Sequence, residues 1–182
     1  MPFNFYPCPI PGLVEIQPEV FNDSRGYFFE CWSEKDFQEA GITSRFVQDN
    51  QSCSVKGVLR GLHFQVKHPQ GKLVRAVEGE VFDVAVDLRP GSPFFGKWHG
   101  VTLSGKKQNL FYIPGGFAHG FLVMSGTAVF AYKCTDFYHP EDESGLLWND
   151  PGIGIIWPGL GIDYILSEKD KKLPILKTMG LK

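Results

Sequence analysis

The sequence predicts an all-β fold, a sandwich or barrel of short strands with a few short helices. Three observations carry this. Sixteen phenylalanines stand among β-branched residues in short runs, the composition that suits a pleated, half-buried surface. Twenty-one glycines and 13 prolines break those runs at short intervals. One run, Val81–Leu88, alternates with the two-residue period of a strand: Val81, Asp83, Ala85 and Asp87 on one face, Phe82, Val84, Val86 and Leu88 on the other. The second face is expected to be core, and the face holding Asp83 to be wet or hydrogen-bonded.

In chain order, Pro2, Pro7, Pro9, Pro11 and Pro18 make the first 20 or so residues an arm or an edge strand, because proline donates nothing to a ladder. Such an arm is suited to pack on a neighbouring subunit. Phe21–Gly26 reads as a turn and Tyr27–Trp32 as a strand. Ser33 followed by Glu34 and Asp36 reads as a helix cap and acidic first turn, with Gly41 as the stop. Strands are then expected at Phe46–Asn50, Ser52–Val55, Gly57–Phe64, Lys72–Val77, Val81–Leu88, Trp98–Leu103, Asn109–Ile113, Gly120–Met124 and Thr127–Thr135. Glu78-Gly-Glu80 and Ser125-Gly126 supply hairpin turns. Ser167 to Asp170 resembles a second cap and first helical turn. No internal repeat and no domain boundary stands out, so residues 1–182 are read as one domain.

A formal net charge of −2 argues against a nucleic-acid-binding surface. The absence of a long apolar stretch or a basic-then-apolar leader leads to the expectation of a soluble, cytoplasmic protein with no membrane partner. Cys8, Cys31, Cys53 and Cys134 contain no C-x-x-C spacing and are expected to be reduced thiols serving as small core hydrophobes.

Two histidines suggest chemistry. His63 lies in Gly61-Leu-His-Phe-Gln65, and His119 ends Pro114-Gly-Gly-Phe-Ala-His119. Neither has a sequence neighbour at metal-ligand spacing. A lone strand histidine is most often a hydrogen-bonded structural residue. Between Arg60 and Lys72, however, a histidine is poorly placed unless an anion binds there, and it can then serve as a base near neutral pH. Arg60 and His63, three apart, face opposite ways in a regular strand, so a bulge near Gly61 or a broad substrate must reconcile them. Tyr132 is either a barrel tyrosine bonded to backbone or a weak acid able to protonate a carbanion. Lys72 is either a solvated hairpin cation or an electrophile beside an oxyanion. Arg25 and Arg60 are surface charges or a fork for a diphosphate.

Pro114-x-Gly116-x-x-His119 resembles the second cupin motif. The strand where metal cupins carry His-x-His here offers Asp83 and Asp87 instead, so the resemblance is to a cupin barrel with no metal and no cofactor. Eight blocks in order then resemble the dTDP-4-dehydrorhamnose 3,5-epimerase family, over about Gly12 to Asp170. They are Asp23-Ser-Arg-Gly-Tyr-Phe-Phe-Glu30, Phe46-Val-Gln-Asp-Asn50, Val58-Leu-Arg-Gly-Leu-His-Phe-Gln65, Gln70-Gly-Lys-Leu-Val-Arg75, Gly79 to Arg89, Ile113 to Phe121, Tyr132-Lys-Cys-Thr135 and Leu147-Trp-Asn-Asp150.

The resemblance implies a cupin-type jelly roll (a double-stranded β-helix) and a homodimer whose N-terminal segments reach across. It implies an epimerase that inverts C3 and C5 of dTDP-4-dehydro-6-deoxy-D-glucose. His63 becomes the base, Asp170 the carboxylate behind it, Tyr132 the acid on the opposite face of the ring, and Lys72 the cation at O4. His119 lines the same pocket with Asp83 holding its ring, and Arg60 grips the diphosphate. Gln48, Asp49, Asn50, Glu143 and Lys169 align with further substrate contacts, as do Arg25 and Glu30 from a partner's arm, and Tyr138 offers a stacking surface for thymine. The rival readings are a single-centre epimerase (C3 only or C5 only), a barrel that binds a nucleotide-sugar without turning it over, and a metal-dependent cupin.

Overall fold

The structure, a computed structural model, describes residues 2–181. Strands β1 (Phe3–Pro7), β2 (Val14–Pro18), β3 (Phe21–Asp23) and β4 (Gly26–Phe28) precede helix α1 (Glu34–Glu39). There follow β5 (Gln48–Val55), β6 (Leu59–Gln65), β7 (Lys72–Glu78), β8 (Glu80–Asp87) and β9 (Trp98–Ser104). The last four are β10 (Leu110–Ile113), β11 (Phe117–Val123), β12 (Thr127–Cys134) and β13 (Glu143–Gly145). Single turns of 3-10 helix occupy Pro140–Asp142, Asp170–Lys172 and Leu176–Thr178.

Two antiparallel sheets form the body. One has the order β1-β2-β10-β7-β12-β5 and the other β13-β6-β11-β8-β9, while β3 and β4 stand apart as a hairpin. The sheets face each other over a shared core, a jelly roll. Val74, Ala76, Phe111 and Phe130 come from the first sheet, and Val81, Ala85, Phe121 and Val123 from the second. Phe121 and Phe130 stack across the gap with ring centroids 4.1 Å apart.

The alternation of β8 holds as read, with its apolar face packed and Asp83 hydrogen-bonded, but the Asp83 face is interior as well. Both faces are buried. Val81 and Ala85 point into the barrel, whereas Val84, Val86 and Phe82 pack outward against Trp157, Leu176 and Met179 of the C-terminal segment. Asp83 and Asp87 are therefore dry, and hydrogen bonds and ion pairing compensate them: Asp83 pairs with His119, and Asp87 accepts from the Arg89 guanidinium and the Ser92 hydroxyl.

Other differences follow from tertiary pairing. Of the two forms expected for the proline-rich start, the edge strand is the one found, as part of a β1–β2 hairpin. Pro7 and Pro18 end its strands, and β1 is the sheet edge. The expected strand Tyr27–Trp32 stops at Phe28, because its partner β3 is three residues long and offers no further ladder. The turn expected at Phe21–Gly26 includes β3. Phe46–Asn50 and Ser52–Val55 merge into β5, since all eight of its residues pair in register with β12. Ser33 caps α1 as expected, accepting from the Asp36 amide, and buried Phe37 docks it on Phe3 and Phe5. Of the cysteines only Cys134 is fully buried; Cys53 is exposed, so its expected core role is corrected. No helix among the described residues is long and apolar enough to cross a membrane.

Candidate active site

A cavity of about 660 Å³ opens between the two sheets, and strand register decides what faces it. In the six-stranded sheet Tyr132 of β12 pairs with Asn50 of β5 and Val74 of β7, and Cys134 pairs with Gln48 and Lys72. Paired residues share a face. Tyr132, Asn50, Gln48 and Lys72 therefore line one wall of the cavity.

The opposite wall comes from β6, β11 and β8. His63 pairs with His119, which pairs with Ala85. One step along, Arg60 pairs with Phe121, which pairs with Asp83. Two residues, Gly61 and Leu62, thus oppose the single Gly120. This is the bulge that the Arg60–His63 spacing required, and it turns both side chains toward the cavity. Only glycine fits at 61. Its φ is +116°, and a Cβ there would lie 2.7 Å from the His119 carbonyl oxygen and from the Gly120 Cα.

His63 Nε2 lies 2.7 Å from Asp170 Oδ1. Burial pushes the Asp170 carboxyl up, but the His63 hydrogen bond and charge, the Gly61 amide and the Ser167 hydroxyl outweigh it and hold the group below the usual aspartate value. An ionised carboxylate only accepts, so in the neutral ring Nε2 carries the hydrogen and Nδ1 keeps the lone pair. The His63 side chain is 34% exposed, Asp170 almost entirely buried. Ser167 Oγ also accepts from the Asp170 amide at 3.0 Å, the cap read from the sequence; the turn it opens is a single 3-10 turn.

His119 Nε2 lies 2.8 Å from Asp83 Oδ2. Burial raises the Asp83 carboxyl, opposed by the charge and hydrogen bond of His119 and then by Lys72. On the facing wall, burial lowers the Lys72 ammonium, opposed by Cys134, Asp83 and Glu143, and Nζ donates to Gln70 Oε1 at 3.0 Å. Burial likewise raises the Tyr132 phenol, with Cys134 adding to the rise and Arg60 opposing it. At the mouth, Tyr138 Oη donates to Glu143 Oε2 at 2.8 Å, and Lys169 pairs with the same carboxylate. Burial raises the Glu143 carboxyl, and these two partners bring it below its ordinary value.

Most of the expected site residues converge here. His63, Asp170, Tyr132 and Lys72 line the cavity, as do Arg60, His119, Gln48 and Asn50, with Tyr138, Glu143 and Lys169 at the rim. Asp83 stands behind His119. Three do not converge. Asp49 is a correction: between Gln48 and Asn50 on β5 it points to the other side of the sheet, where it pairs with Lys133 at 2.9 Å. Arg25 sits on the exposed β3–β4 hairpin, bonded to Asp23, and Glu30 is exposed just beyond it. Neither reaches the pocket of its own chain.

Sequence reasoning missed the supports. Ser54 accepts from Arg60 Nε and Nη2 at 3.2 and 3.1 Å. Gln70 bridges Lys72 to the Asp136 carbonyl, and Gln65 ties two rim loops together. Both glutamines lie within the quoted blocks, which was the available signal.

A jelly-roll barrel with a carboxylate-backed imidazole on one wall and a phenol and an ammonium on the other defines an acid–base enzyme of the isomerase class. The comparisons narrow the class. The chain belongs to the dTDP-4-dehydrorhamnose 3,5-epimerase family, whose model matches residues 7–178. It is 56% identical over 170 residues to the dTDP-4-dehydrorhamnose 3,5-epimerase of Methanothermobacter thermautotrophicus, covering 93% of this chain and 92% of the relative. The Pseudomonas aeruginosa enzyme of that name is 55% identical, with 90% of each chain covered. The crystal structure of dTDP-6-deoxy-D-glucose-3,5-epimerase from Legionella pneumophila, in complex with dTDP-4-keto-L-rhamnose, superposes with a TM-score of 0.94. It is 53% identical, with 97% of this chain and 94% of that one covered.

Proposed function

We propose that this protein inverts C3 and C5 of dTDP-4-dehydro-6-deoxy-D-glucose to give dTDP-4-dehydro-L-rhamnose. The observation that carries the reading is the division of labour between sheets: the His63–Asp170 pair projects from one and Tyr132 from the other, across one cavity.

The hydrogens at C3 and C5 are acidified by the C4 carbonyl. His63 Nδ1 takes one as a proton, the C–H electron pair becomes the enolate, and charge collects on O4. Lys72 meets that charge, stabilising the transition state more than the ground state. Tyr132 then protonates the same carbon from the opposite face, which inverts it; the His63 imidazolium releases its extra proton to solvent and the Tyr132 phenolate takes one up, which resets the pair. Asp170 orients the imidazole and supports its cation. His119, steadied by Asp83, adds a polar ring nitrogen beside the sugar. Arg60 holds the diphosphate, Tyr138 stacks on thymine, and Gln48, Asn50, Glu143 and Lys169 contact the remaining polar groups.

Arg25 and Glu30 take part from a second copy. The β3–β4 hairpin presents Phe21, Tyr27 and Phe28 to solvent, 51, 59 and 67% exposed. An apolar patch on a projecting ribbon supports a homodimer in which hairpins are exchanged. Four unpaired cysteines support a reducing, cytoplasmic setting.

The test is turnover of the keto-sugar in D₂O followed by NMR. Deuterium is expected at C3 and C5 with inversion at both. Uptake at one carbon alone would make it a single-centre epimerase, and no uptake would reduce it to a binding protein.

A further inference from the structure

Two loops meet at the rim of the cavity, and each carries a histidine that the chemistry above does not use. Residues 66–71 supply His68; residues 135–142 supply Asp136 and His139. The two imidazoles stack with centroids 4.2 Å apart and planes 21° from parallel. His68 Nδ1 lies 3.9 Å from Asp136 Oδ2, and His139 Nε2 lies 4.0 Å from Asp136 Oδ1. One ligand atom from each residue falls within a 4.8 Å span. Among the described residues neither ring makes a hydrogen bond, and the Asp136 carboxylate accepts only from the Phe137 amide, at 2.8 Å. Three ligating groups thus converge without bonding one another.

The backbone beneath them is fixed by the buried Gln65 and Asp142 and the half-buried Gln70. Gln65 Nε2 donates to the His68 carbonyl at 2.7 Å and to the Phe137 carbonyl at 3.2 Å, while its Oε1 accepts from the His139 amide at 2.8 Å. The Asp142 carboxylate accepts from the amides of Lys67 and His68, each at 2.8 Å. Gln70 Nε2 donates to the Asp136 carbonyl at 2.9 Å. All three residues are held in place by the fold itself, so a ligand would order only side-chain ends.

We infer that His68, Asp136 and His139 form a binding site for a divalent transition cation of the Zn²⁺ type, clipping the two rim loops together. Two imidazoles and one carboxylate suit a borderline cation, whereas Ca²⁺ and Mg²⁺ favour all-oxygen shells. Zinc bonds of about 2.0–2.2 Å separate tetrahedral ligand atoms by about 3.4 Å. The widest separation must close by up to about 1.4 Å, and the stacked rings must turn so that each points a nitrogen lone pair at the ion, a rearrangement of side-chain torsions open to half-exposed residues. Water completes the shell, and Glu141, whose Oε1 lies 3.4 Å from His139 Nδ1, is placed to accept the hydrogen of the ring nitrogen that faces away from the cation. Tyr138 lies between Asp136 and His139, so the cation would stiffen the loop that carries it. The site stands independently of the reaction assigned to the cavity.

Calorimetric titration of the metal-stripped full chain with Zn²⁺, and of a parallel sample with Co²⁺ followed by visible absorption, tests it. One equivalent per chain is expected, with the intense d–d bands of low-coordinate cobalt. His68→Ala and His139→Ala should each weaken binding at least tenfold, with circular dichroism confirming the fold. Should His139→Ala fail to fold, His68→Gln on the exposed loop carries the same expectation. His63→Ala should bind like the parent. No binding, binding indifferent to His68 and His139, or binding lost with His63 instead would overturn the site.

Discussion

Lys72 and Tyr132 carry opposite perturbations with one cause. Burial disfavours charge, so the lysine gives up its proton below its ordinary value of 10.5 and the tyrosine keeps its proton above 10.0. The alkaline limb of kcat is therefore expected to report Lys72, and Lys72→Arg should displace that limb upward in a pH–rate profile while lowering kcat through altered geometry. Asp170 governs the acid side of stability. Its folded pKa is depressed, so the folded chain binds fewer protons than the unfolded one. Its contribution is complete above the unfolded value of about 3.8 and is lost as pH falls through the folded value. Urea midpoints measured against pH should show a shallower acid decline in Asp170→Asn than in the parent, and its kcat should drop about a hundredfold as the imidazole loses its orienting carboxylate. Tyr132→Phe should retain hydrogen exchange at the sugar while blocking inversion. At this scale the sequence was legible where a motif marked a residue. Asp49 was misassigned because a motif names neighbours together while a strand sends them to opposite sides. Gln65 and Gln70 went unassigned because an amide's value lies in its partners, and each bridges a near neighbour to a loop about 70 residues away. His68 and His139 escaped for the same reason: ligand spacing in space left no trace in sequence spacing.

Among elements, β6 is the most constrained. Gly61→Ala places a methyl against the β11 backbone at a positive φ, and the cost is about 1–3 kcal/mol with Arg60 or His63 displaced. Thermal unfolding and KM for the nucleotide-sugar would check both. In β12, Phe130→Ala should cost about 3–5 kcal/mol in a denaturant titration, because the ring is fully buried between His119, Phe121 and Tyr132. Most strands were readable from alternation and turn residues; their ends were not. Gly57–Phe64 proved to be Leu59–Gln65, and Gly120–Met124 proved to start at Phe117, because the neighbouring strand decides where pairing stops. The polar run of β5 looked like two strands and a break, since only its register with β12 makes it one.

For the whole molecule, the all-β class and the barrel were legible from composition and punctuation, but which face of β8 was interior was not. Both faces are covered, one by the opposite sheet and one by a tail far along the chain. Assembly supplies the prediction at this scale: for the proposed homodimer, replacing Tyr27 and Phe28 by serine is expected to shift sedimentation to the monomer and to lower activity, because Arg25 and Glu30 would no longer reach a second copy's cavity. The Phe121–Phe130 stack has a quieter consequence. In the proposed reaction it is the hydrocarbon shim between the wall that takes a proton and the wall that returns one. The gap between them is thereby gauged like the jaws of a caliper, and thinning the shim would let a proton return from the side it left, so that stereochemical fidelity erodes before turnover does.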